Sequence, residues 1–115
     1  MAFDRSEGSP IDKNIAAAWT RNYREAAPTG SQGYFFSREL LNRLLNQNGC
    51  TGIRFYRDLR DGGVQQLLAV GADQEENDQL DSTHHVVDDA RNCPPCCSRP
   101  SIMNSYLPRP FLYRV

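Results

Sequence analysis

Large apolar residues return at every fourth position near the start of the chain: Ile11, Ile15, Trp19 and Tyr23, with Ala16 and Ala18 between them. That period draws one stripe along an α-helix. Ser9-Pro10-Ile11-Asp12 reads as its start, with Ser9 as N-cap, Pro10 at the first helical position and Asp12 three residues after the cap. The spacing predicts a helix over 10–25, closed by the loop from Pro28 to Gly33. A second helix follows, with Phe36, Leu40, Leu41, Leu44 and Leu45 on one face and Arg38, Glu39, Asn42, Arg43 and Asn46 on the other. Ser37 can cap it and Asn48-Gly49 can stop it.

The period then drops to two. In Thr51–Leu59, Ile53, Phe55 and Leu59 point one way and Arg54, Tyr56 and Asp58 the other. Arg60-Asp61-Gly62-Gly63 supplies residues that accept the positive φ of a hairpin turn, and Val64–Ala72 returns as the partner strand. Two strands rarely stand alone. A third is expected from His85-Val86-Val87, from Phe111-Leu112-Tyr113 in the tail, or from another copy of the chain. The segment from Asp73 to Asn92 is polar and reads as a long loop, with a short strand near His84–Val87. The class is therefore α+β: two N-terminal helices packed on a small antiparallel sheet (hairpin 51–72 plus a third strand), a long polar loop and an extended C-terminal tail. The expected plan is a flexible N-terminus over 1–9, one small domain over 10–98, and a proline- and aromatic-rich tail over 99–115.

At 115 residues and 39% hydrophobic, the chain has a small core to draw on. Burial alone stabilises a core of that size only marginally, so a metal, a disulfide or a partner chain would help. A net charge of -1 gives no field for nucleic acid or anionic lipid. The charges are nevertheless segregated. Asp73, Glu75, Glu76, Asp78 and Asp81 make an acidic run, while Arg91, Arg99, Arg109 and Arg114 make the tail basic. Arg54, Tyr56 and Arg57 could form a basic-aromatic nucleic-acid face, but the ordinary reading is the solvent side of a sheet. No apolar run approaches the ~20 residues that span a bilayer, and the first residues lack a secretion signal's apolar core. The expected compartment is the cytoplasm, where thiols stay reduced.

The chemistry concentrates in Asn92-Cys93-Pro94-Pro95-Cys96-Cys97, which holds three of the four cysteines. Cys93 and Cys96 have the spacing of a zinc knuckle, and a tetrahedral site needs two further ligands. Cys50 and His85 are the pair that would tie this loop back to the helix–hairpin core. The cofactor implied by that set is zinc. A redox reading uses the same two thiols, though no helix pattern follows Cys97 and no βαβ context surrounds it. A disulfide from Cys50 to the cluster is a third reading, and a rigid proline turn with idle thiols is the plainest. His84 and His85 would point to opposite faces of a strand and read as surface histidines in an acidic loop. Asp73, Glu75, Asn77 and Asp78 imitate a calcium loop, but the glycine at its sixth position and the glutamate at its twelfth are missing. No nucleophile elbow, P-loop or dinucleotide fingerprint is present.

Taken in order, Phe35-Phe36, Leu44-Leu45, Gln47, Gly49-Cys50, Gly52-Ile53-Arg54, Tyr56, Leu67-Leu68, Val70-Gly71, Asp73, Asn77-Asp78 and Cys93-Pro94-Pro95-Cys96 form a pattern over residues 12–98. It resembles a group of small bacterial proteins of Bacteroidetes type to which no activity is attached. In that group the acidic turn often carries glycine before Asn-Asp; here Glu76 stands there. The resemblance implies no mechanism.

The functional expectation is a non-enzymatic module for protein–protein contact, either self-association or docking, with no catalytic residues. The open hairpin edge and the tail, with Tyr106, Phe111 and Tyr113 as contact residues, would carry it. The alternative is a small zinc-stabilised or thiol-redox protein centred on Cys93 and Cys96.

Overall fold

The first helix, α1 (Lys13–Ala26), starts three residues later than its apolar period suggests. Its N-cap is Asp12, whose carboxylate accepts from the Asn14 N–H at 3.2 Å. An ionised carboxylate is a stronger acceptor than a serine hydroxyl, so Asp12 takes the cap and Ser9 and Pro10 stay outside the helix. Arg24 lies in the last turn, where a cation suits the helix dipole.

In a computed structural model of the protein, residues 2–104 are described. Beyond α1 come β1 (Gly33–Phe35), α2 (Arg38–Leu45), β2 (Cys50–Leu59), β3 (Gln65–Asp73), β4 (Val86–Val87) and β5 (Arg91–Cys93). The class is α+β, as the periodicity implies. The backbone falls into two units: Met1–Ser9 with Tyr34–Arg91, and Pro10–Gly33 with Asn92–Val115. The sequence suggests a single domain over 10–98; in the structure α1 and the cysteine turn fall together in the second unit.

The first unit is built on a three-stranded antiparallel sheet in the order β2-β3-β4. Leu59 pairs with Gln65 across the turn, where Gly62 and Gly63 take φ of 86° and 81°. Val86–Val87 is the third strand, pairing with Val70 and Ala69. Ser37 caps α2 by accepting from the Leu40 N–H at 3.3 Å. The core is small: Leu44 and Ala69 are fully buried with Val87, and Phe36, Leu40 and Ile53 pack against them. Phe36 and Phe55 stack with ring centroids 5.8 Å apart, so the apolar face of β2 meets α2.

The polar segment after β3 is more ordered than its composition suggests. Asp73 N–H donates to Asn77 O at 2.9 Å and Glu76 N–H to Asp73 O at 3.1 Å, folding the chain back. Ala72 then pairs with Asp78. Glu76 takes φ 72° in this turn, the left-handed conformation for which glycine is the usual choice. Next, Gln79 buries its side chain over the sheet. Its Nε2 donates to Asn48 O at 2.9 Å, and its Oε1 accepts from Gln47 Nε2 at 2.9 Å. Gln47 Oε1 in turn accepts from the His85 N–H at 2.8 Å. Gly71 leaves room for this pair: a Cβ on it would lie 2.5 Å from Gln79 Oε1 and 2.9 Å from Gln47 Nε2, so the two amides would have to shift to admit one.

Candidate functional site

The cysteine turn grows out of β5. β5 pairs with β1 in a separate two-stranded sheet. Cys93 O accepts from the Gln32 N–H at 2.5 Å, and Asn92 Nδ2 donates to Ser31 Oγ at 3.2 Å. These bonds hold the root of the turn. Its return is held by Cys96 N–H, which donates to Asn92 O at 2.8 Å. The Cys93–Pro94 and Pro94–Pro95 peptide bonds are both cis.

Cys93 and Cys97 form a disulfide with Cα atoms 4.7 Å apart. Cys50 and Cys96 are free. The third reading, a disulfide from Cys50 to the cluster, is therefore not made. Cys50 is occupied locally instead: its Sγ donates to Gly52 O at 3.1 Å and would touch a Cβ at Gly71 at 3.1 Å. The bridge joins residues separated by 4 in sequence. Closing so short a loop stabilises by about 2 kcal/mol on chain entropy, less than half of what a loop of ~100 residues gives. It ties no distant segments together, so it is not the staple a small core would call for.

Of the zinc set, Cys93 is taken into the bridge, Cys96 is an exposed thiol, Cys50 is half-buried, and His85 is exposed with its backbone on Gln47. Among the described residues, no group of three or more His, Cys, Asp or Glu is gathered in a way that could hold a metal ion. His84 pairs with Asp81, Nδ1 to Oδ1 at 3.1 Å; its side chain is only 17% exposed, so of the two histidines read as surface residues His85 alone is exposed. Tyr106, Phe111 and Tyr113 lie outside the described residues.

Two of the hairpin's three basic-aromatic residues are spent internally, while Arg57 is exposed. Arg54 and Tyr56 both donate to the Asp78 carboxylate, one to each oxygen. The Tyr56 hydroxyl, then Arg54, holds the Asp78 carboxyl below the usual carboxylate range. The same carboxylate raises Tyr56 and Arg54 above their ordinary values. Arg54 also lies 5.6 Å over the Phe3 ring. Phe3 N–H donates to Gln74 O at 2.9 Å, which lays the N-terminal arm along the sheet. Between the arm and β2 is an open cleft of about 720 Å³ lined by Phe3, Arg5, Ile53 and Phe55 among others.

α1 carries a run of exposed apolar side chains. None of its residues is buried, and Ile15, Trp19 and Tyr23 are 48%, 59% and 43% exposed. The sequence marks this stripe by its period, but not that it faces outward. The described chain closes against the same helix, since Arg24 Nη1 donates to Met103 O at 3.0 Å. No helix among the described residues is long and apolar enough to cross a membrane.

No family model, no curated protein and no solved structure matches this chain.

Proposed function

We propose that the protein is a non-enzymatic association module whose contact face is the apolar stripe of α1, and that its partner is a second copy of itself. The carrying observation is that Ile15, Trp19 and Tyr23 form a ridge on a helix with no buried residue. Residues at i, i+4 and i+8 each advance about 40° around the helix, so the three span roughly 80° of one face. That is the row by which helices interdigitate in the commonest packing class. The ridge is symmetric about Trp19. Two antiparallel copies related by a two-fold axis would set Trp19 against Trp19 and Ile15 against Tyr23, which is the self-complementarity such an interface requires. A net charge of -1 leaves little long-range repulsion between copies. Tyr106, Phe111 and Tyr113 are proposed as a second contact element. The unpaired edge of β2, at the end of the sheet order, offers a further surface for strand addition.

Light-scattering mass measured across a concentration series tests the proposal. A dimer is expected at high concentration, and Trp19→Asp should remove it. Each copy loses one large buried side chain, about 2 kcal/mol apiece, so association weakens at least a hundredfold. A chain that stays monomeric throughout, or a Trp19→Asp chain that dimerises as well as the wild type, would refute the assignment.

A further inference from the structure

We propose that the turn Asn92–Cys97 is a thiol–disulfide exchange site, whose bridge oxidises thiols carried by another molecule. Three observations converge on it. The bridge between Cys93 and Cys97 spans only the turn itself, so opening it frees no distant part of the chain. Cys97 is exposed while Cys93 is half-buried, so the bridge is more open to solvent at its Cys97 end. A third thiol, Cys96, is free and exposed beside them. A purely structural bridge uses two sulfurs and gains nothing from a free thiol beside it. The root of the turn is meanwhile held by Gln32 and Ser31, which keep Cys93 in place whichever sulfur it bonds.

The chemistry balances without an outside oxidant. A substrate thiolate attacks Cys97 Sγ, the bond to Cys93 breaks, and Cys93 leaves as a thiolate that takes a proton from water. A second substrate thiolate then attacks the substrate sulfur of this mixed disulfide. The substrate disulfide forms and Cys97 leaves as a thiolate. Two electrons have passed from the substrate thiols to the bridge. Cys96 adds an internal step: its thiolate attacks Cys93 Sγ, Cys97 leaves, and the bridge moves to Cys93–Cys96. Cys93 is common to both pairings. The substrate class is a thiol, supplied either by a small molecule or by a polypeptide with two cysteines.

The test uses the full oxidised chain under native conditions. One arm adds reduced glutathione; the other adds a reduced peptide with two cysteines. Both are quenched by acid and alkylation and read by intact mass and peptide mapping, with far-UV circular dichroism in parallel. The expected result is loss of the bridge with the fold retained, transient adducts on Cys97 or Cys96, and bridges divided between 93–97 and 93–96. Cys96→Ser, which leaves the observed bridge intact, should confine it to 93–97. Cys97→Ser should abolish adducts at that position. Exchange in the glutathione arm alone assigns a small thiol, and in the peptide arm alone a polypeptide. The proposal is overturned if neither thiol opens the bridge before the chain unfolds, if opening it unfolds the chain, or if Cys96 resists alkylation in the native protein. The readout does not depend on association: Trp19→Asp should exchange like the wild type even if the dimer reading fails.

Discussion

Replacing Gln79 by alanine removes the middle of the amide chain that links α2, β3 and the segment before β4. Gln79 is 6% exposed. Its loss leaves the Asn48 carbonyl and the Gln47 amide without the partners they have at 2.9 Å. A buried group left unsatisfied costs about 1–3 kcal/mol. Gln47 is half-buried and Asn48 exposed, so water replaces part of what is lost. The low end applies to each, and Gln79→Ala should cost about 2 kcal/mol. That is a large share for a fold held at roughly 0.05–0.15 kcal/mol per residue. Gly71→Ala attacks the same place from below, because the new methyl would meet Gln79 Oε1; overpacking of this kind costs about 1–3 kcal/mol. The two changes should not add. With Gln79 shortened, the worst clash at residue 71 disappears, and the double variant should be about 1 kcal/mol more stable than the sum of the single costs implies. Urea unfolding followed by far-UV circular dichroism measures all four proteins; Trp19 fluorescence does not report here, because that residue belongs to the other unit. Gln79→Ala within about 0.5 kcal/mol of wild type, or strict additivity, would refute this account of the network.

Glu76→Gly should stabilise by about 0.5–1 kcal/mol, because glycine takes the left-handed turn without strain; an unmoved or lower urea midpoint would refute it. Leu44→Ala should cost about 2–5 kcal/mol, since Leu44 is fully buried in a core with little else to close the gap. Asp78 is lowered by Tyr56 and Arg54, so its contribution is present above the unfolded carboxylate value and is lost as pH falls through the lowered folded one; Asp78→Asn should flatten the acid limb of a stability–pH profile. Tyr56 is raised by the same carboxylate, so its contribution holds below the ordinary tyrosine value and is lost as pH rises through the raised one; Tyr56→Phe should flatten the alkaline limb.

Where the chain repeats a period, sequence and structure agree on the kind of element, though the α1 period begins at Ile11, outside the helix. Ser37 caps α2 as expected, though the helix ends at Leu45 with Asn46 as its C-cap, short of the Asn48-Gly49 stop; the change to period two with Asp-Gly-Gly marks the β2–β3 hairpin. The third strand at Val86–Val87 was one of three candidates, and two adjacent valines carry little pattern of their own. Strands of three residues such as β1 and β5 carry no period at all. Gln79 is invisible because a buried amide looks like any other residue in a polar segment. The pairing of Cys93 with Cys97 is hidden by a better-known spacing: the C-x-x-C of Cys93 and Cys96 draws attention to a metal or redox pair, while the turn bridges Cys93 to the fourth residue and leaves the third as a free thiol. Gln47, Cys50, Gly71 and Asp78 make their contacts within the first unit, where they hold the fold together.

The first unit spends its conspicuous polar groups on itself; the second turns its conspicuous chemistry outward. A 14-residue helix with no buried residue gains little from packing, and an isolated helix of that length is marginal in water. Burying the Ile15–Trp19–Tyr23 ridge against a second copy would supply the missing term, so helix formation and association should be coupled. Trp19 is the chain's single tryptophan and sits at the proposed two-fold axis, so its emission reports this directly. On raising the concentration, emission should shift to shorter wavelength while far-UV helical signal per residue rises. Both should follow the light-scattering mass, and both should vanish in Ile15→Asp, which keeps the fluorophore. Emission that stays constant while the mass doubles would put the interface elsewhere, with the β2 edge the next surface to test.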